Sequence, residues 1–169
     1  ATPRPAACDA GARGVRVEVE RRRAARDGCE ERGRIRVGHG ERASRAWPWQ
    51  RLASGGARLA FGSDWPVVTL DPWQGLRMLR LRQTLDGQPA GGWLPDERIA
   101  IDAAVKGYTI DAAYAGRIEK TEGSIEAGKV GDLVVLSQDV FTVPPEALAT
   151  TTSLVTVPGG RMRSSLVVP

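Results

Sequence analysis

Ala57-Arg58-Leu59-Ala60-Phe61-Gly62-Ser63-Asp64-Trp65-Pro66-Val67 is the stretch on which the fold of this chain turns. Its first five residues form a short apolar run broken only by Arg58, and the run stops abruptly at Gly62-Ser63-Asp64. Such a run with polar punctuation predicts a buried strand that leads into a polar loop. The loop carries a carboxylate, Asp64, where the strand ends.

Toward the N-terminus, Trp47 to Leu52 predicts a short amphipathic turn or helix, with Ser54-Gly55-Gly56 as its terminator. Toward the C-terminus, Asp71-Pro72 is a good helix start. The carboxylate can cap free amides, and proline sits where a missing N–H is no loss. Trp73, Leu76 and Leu79, with Met78, then share a face. Gly87 to Gly92, with Pro89 inside, is a loop. A second helical pattern runs through Ile101, Ala104, Val105 and Tyr108, and a third from Thr109 as cap through Ala112, Ala113 and Ala115 to Gly116. Helices this short depend on packing. After Gly123 the period changes. Gly128-Lys129 makes a turn, and strands are expected at Leu133–Leu136, at Leu154–Val157 and near Leu166 to Val168. Strand, helices, then strands is the order of a mixed α and β fold.

Residues 1 to 46 differ from all this. They contain no Leu, Lys, Phe or Tyr and one Ile, yet carry twelve Arg against seven acidic side chains, so the net charge of +4 for the 169-residue chain is local to them. The stretch 1–38 reads as disordered or non-native. Its Ala/Arg/Gly composition is what GC-rich DNA gives when read out of frame, which predicts that another frame upstream encodes the preceding strands. Cys8 and Cys29 lie far apart without metal-site spacing and without a secretory segment ahead of them, so a reducing, cytoplasmic location is expected. No apolar run approaches bilayer length.

Three segments in order resemble the metal-dependent amidohydrolase superfamily, and within it amidohydrolase family 3, the group with formamide deformylase-like enzymes. They are Glu41 to Trp49 leading into Gly56 to Val67, then Ile101-Asp102-Ala103-Ala104-Val105-Lys106-Gly107-Tyr108-Thr109, then Gly123-Ser124-Ile125-Glu126-Ala127-Gly128-Lys129-Val130-Gly131-Asp132-Leu133-Val134-Val135-Leu136. The resemblance implies an α/β fold: the C-terminal part of a (β/α)8 barrel, here its last strand and following helices in residues 39–122, plus part of a small β-sandwich domain in 123–169. It places Asp64 at the C-terminal mouth of a barrel strand, where such barrels keep their chemistry. It implies that Asp64 binds metal, zinc or another divalent ion, or takes the proton of the attacking water during hydrolysis of a non-peptide carbon–nitrogen bond in a small amide-like substrate. Taken alone, Asp64 has a blander reading as an Asx-turn or cap residue before Pro66.

Several family parts have no counterpart. A catalytic zinc takes about three protein ligands, whereas the chain has one histidine, His39, in a Gly- and Arg-rich stretch that reads as solvated surface. The paired His-x-His of the first barrel strand, the bridging Lys or acid and the later histidines are missing, so the isolated chain is expected to be inactive. Gly131 stands where the family has Ala, and Ala100 where a Ser or Thr cap is usual. Lys129 and Asp132 read as a solvated charged turn entering a strand. Trp65, Trp73 and Trp93 could line a substrate pocket, with buried packing the commoner role. Two rival readings come from other classes. The Arg-rich segment could be a nucleic-acid-binding arm, though Glu18, Glu20, Glu30 and Glu31 dilute it. The chain could instead be a non-catalytic partner subunit, marked by exposed apolar surface around Leu59, Leu76 and Leu133.

Overall fold

The computed structural model describes residues 40–66 and 68–163; the segment 1–38, Cys8, Cys29, His39 and the strand expected near Leu166 to Val168 lie outside the described residues. After a 3-10 turn at Gly40–Arg45, α1 spans Trp49–Ser54, two residues later than its apolar pattern suggests, because Pro48 occupies the entry position. Gly55 closes it, and Gly56, at φ +85, reverses the chain so that the Ala57 N–H donates to the Leu52 carbonyl at 3.0 Å. A positive φ of that size favours glycine.

Residues 57–61 follow the period of a strand without forming one. Leu59 and Phe61 are buried while Arg58 is exposed. The Phe61 N–H, however, donates to the Gly107 carbonyl at 2.9 Å, and so to a helix. No strand among the described residues lies beside it to form a ladder. The apolar alternation therefore yields an extended, buried segment. It lies so close that a Cβ on Gly107 would sit 2.4 Å from Phe61 Cδ2 and 2.9 Å from the Leu59 carbonyl.

The helix α2 spans Pro72–Leu81, with the Asp71 carboxylate accepting from the Trp73 N–H at 3.0 Å and Pro72 in the first helical position. Leu76 and Leu79 face the core, with Trp73 and Met78 partly buried against it. The helix ends because Arg82 turns left-handed at φ 57, its N–H closing on the Met78 carbonyl. Pro145–Thr150, another 3-10 turn, lies across α2 and delivers Leu148 to the same core.

Then come α3, Ile101–Tyr108, and α4, Ile110–Gly116. Ala100 supplies no side-chain cap to α3. Thr109, expected to cap α4, does not do so: its hydroxyl donates back to the Val105 carbonyl at 2.8 Å and so closes α3. At φ −119 and ψ −100 its backbone belongs to neither helix, and the nearer orphan carbonyl wins the hydroxyl.

The strands β1, Leu133–Leu136, and β2, Ser153–Val157, pair antiparallel with Val134 opposite Thr156 and a register irregularity after Val135. An isolated bridge between Thr156 and Arg163 begins a third line of pairing on β2's other edge. Leu136 packs against the core, whereas Leu133, Val134, Val135 and Leu154 are exposed. The centre of the molecule is Trp49, Leu59, Phe61, Leu79, Ile99 and Leu148 with their neighbours. Each such fully buried large side chain contributes about 1.5–3 kcal/mol relative to exposure.

Candidate functional site

The buried pair Leu59 and Phe61 anchors the segment that delivers the loop Gly62 to Pro66. Two backbone features fall in that loop: Asp64 adopts a left-handed backbone at φ 48, and the Trp65–Pro66 peptide is cis. For a residue with a Cβ the left-handed region is unfavourable, and aspartate tolerates it better than most because its short side chain can bond locally. The Asp64 side chain is exposed and makes no hydrogen bond or ion pair with any other described residue. The cap of the next helix is Asp71, whose carboxylate accepts from the Trp73 N–H. Asp64 is one of five non-glycine residues with positive φ among those described, with Trp47, Arg82, Leu94 and Arg117, and its carboxylate is open to solvent.

The three tryptophans that could line a pocket differ in their surroundings. Trp73 packs against the core. Trp93 meets Trp47 edge-on, with ring centroids 5.1 Å apart, and lies beneath the Arg82 guanidinium at 5.2 Å. Trp65, next to Asp64, is 63% exposed.

Lys129 and Asp132 are structural, and Lys129 is not solvated. Its side chain is only 10% exposed, and its ammonium donates to Ser124 Oγ at 2.5 Å while pairing with the Glu126 carboxylate at 3.5 Å. The Ser124 hydroxyl, foremost, and the Lys129 charge hold the Glu126 carboxyl below the usual carboxylate range. Asp132 Oδ1 accepts from the Gly159 N–H at 2.6 Å and ties the start of β1 to the turn after β2. Of the apolar residues marking a partner-subunit reading, Leu59 and Leu76 are buried and only Leu133 is exposed.

Buried charge elsewhere was not legible in the sequence. Arg82 lies inside a cage of Trp49 and Trp93, with its centre 4.5 Å from the Trp49 ring, and donates to the Trp93 and Trp47 carbonyls. Burial lowers its guanidinium to about 10 against the opposing pull of the Glu97 charge. Glu97 is buried and accepts from both the backbone N–H and the guanidinium of Arg51. Asp111, also buried, faces Lys106 at 3.4 Å and Arg58 at 3.9 Å. These pairs join residues as much as 46 positions apart, and no local pattern announces them.

Among the described residues no three His, Cys, Asp or Glu side chains converge in a way that could hold a metal ion. A catalytic zinc needs about that many protein ligands, so the described residues do not by themselves fit the metal that the family resemblance implies. Nor is any helix among them long and apolar enough to cross a membrane.

Comparison with known proteins follows the same lines. The sequence profile of the amidohydrolase family matches residues 11–163, which is nearly the whole chain and includes part of the Arg-rich stretch. Protein LONG AFTER FAR-RED 3 of Arabidopsis thaliana is 35% identical over 102 residues, covering 60% of this chain and 17% of that protein. An N-substituted formamide deformylase of Arthrobacter pascens is 34% identical over 102 residues, covering 60% of this chain and 18% of that enzyme. The chain thus spans less than a fifth of the length of these two relatives. A crystal structure of a Xaa-Pro dipeptidase with bound methionine superposes with a TM-score of 0.54 at 19% identity, over 84% of this chain and 33% of that one. At that identity the likeness speaks for the fold alone. With a family match over almost its full length, this chain belongs to the amidohydrolase family.

Proposed function

We propose that this chain supplies the closing part of a hydrolase acting on non-peptide carbon–nitrogen bonds of small amide-like substrates, and that Asp64 is its contribution to the chemistry. The observation that carries the reading is the Asp64 carboxylate itself, exposed and without a described partner, in a left-handed backbone at the end of a buried extended segment. Family membership and a relative named for deformylating N-substituted formamides support the bond type.

The chemistry open to Asp64 is proton transfer. As water attacks the carbonyl carbon, a carboxylate within hydrogen-bond reach accepts the water's proton. It then returns that proton to the nitrogen as the carbon–nitrogen bond breaks, giving a carboxylic acid and an amine. The family implies zinc or another divalent metal, with Asp64 as a candidate ligand. The other ligands would come from outside the described residues. In this reading residues 39–122 are the end of the barrel and 123–169 part of the sandwich, and the chain works in the cytoplasm as part of a larger active unit without nucleic acid or membrane.

The test is metal analysis of the purified chain beside a hydrolysis assay on N-substituted amides with added zinc. The expected result is no turnover and no zinc that depends on Asp64. One tightly held zinc per chain with turnover, both lost in Asp64→Asn, would overturn the claim that the chain is inactive alone.

A further inference from the structure

We draw no further inference here: the strongest candidate, the exposed apolar surface of the β1–β2 ribbon at Leu133, Val134, Val135 and Leu154, is an unpartnered face, and nothing in the structure shows what covers it.

Discussion

Replacing Arg51 by Ala removes the charged donor among those that hold Glu97, leaving the backbone N–H groups of Arg51 and Gln50, and its effect can be worked out in size and in pH dependence. The guanidinium donates through Nε to one carboxylate oxygen, and the Arg51 backbone N–H donates to the other at 3.2 Å. The Glu97 side chain is 6% exposed and that of Arg51 54%, so the pair is neither a surface pair nor a dry one. Exposed pairs contribute about 0.2–1 kcal/mol, and removing one partner of a fully buried pair costs about 3–5 kcal/mol. Solvent on the arginine side screens the charge, which places Arg51→Ala at about 1.5–2.5 kcal/mol of lost stability at neutral pH. Burial would raise the Glu97 carboxyl, but the hydrogen bonds and charge of Arg51, with the Gln50 backbone N–H, outweigh it and hold the group below its ordinary value of 4.5. A carboxyl lowered in the folded state gives stability that is fully present above the unfolded value and is lost as pH falls through the folded one. The gap between wild type and Arg51→Ala should therefore be complete at about pH 7 and shrink below about pH 4.5. Urea unfolding followed by tryptophan fluorescence, at about pH 7 and about pH 3, measures it. A gap under about 0.5 kcal/mol at pH 7, or one of equal size at both pH values, would refute the reasoning.

Three further substitutions probe the frame that carries the Asp64 loop. Asp71→Ala deletes the cap on the Trp73 N–H and should lower stability by about 1 kcal/mol, read from the urea midpoint with an unchanged slope. Leu79→Ala empties a site that is 1% exposed, between α2 and the Pro145–Thr150 turn, and should lose about 2–5 kcal/mol; a loss below 1 kcal/mol would mean that α2 is not docked as described. Gly107→Ala pushes a methyl group into the Phe61 ring and the Leu59 carbonyl. It should lose about 1–3 kcal/mol and move the backbone NMR signals of 57–64 while sparing those of β1.

How far the sequence could be read depended on how local each cause was. Asp71-Pro72 specifies its own helix start through a carboxylate two residues from the amide it caps, and the structure has that bond. The α3 and α4 patterns and the two strands of the ribbon likewise follow from period and punctuation close at hand. Residues 57–61 show where this ends. Their alternation announced burial, but whether an extended segment becomes a strand depends on a neighbour, and the one it meets is Gly107 on a helix. Thr109 failed as a cap for a related reason, since two orphaned helix ends compete for one hydroxyl. At the candidate site, the motif around Asp64 was legible as a family resemblance, while its left-handed backbone and lack of a described partner were not. Trp65 could be told from Trp73 and Trp93 only by packing, and the Arg82 cage joins Trp47, Trp49 and Trp93 across tertiary distances.

Grafting tests whether Asp64 is the catalytic carboxylate that this chain brings to a carbon–nitrogen hydrolase. Residues 40–163 would replace the matched segment of the Arthrobacter pascens N-substituted formamide deformylase, and kcat on an N-substituted formamide would be measured for the graft and for its Asp64→Asn form. The expected result is an active graft whose kcat falls by roughly a hundred-fold or more in Asp64→Asn with no change in Tm. An Asp64→Asn graft that is equally stable and turns over at the unsubstituted rate would contradict it.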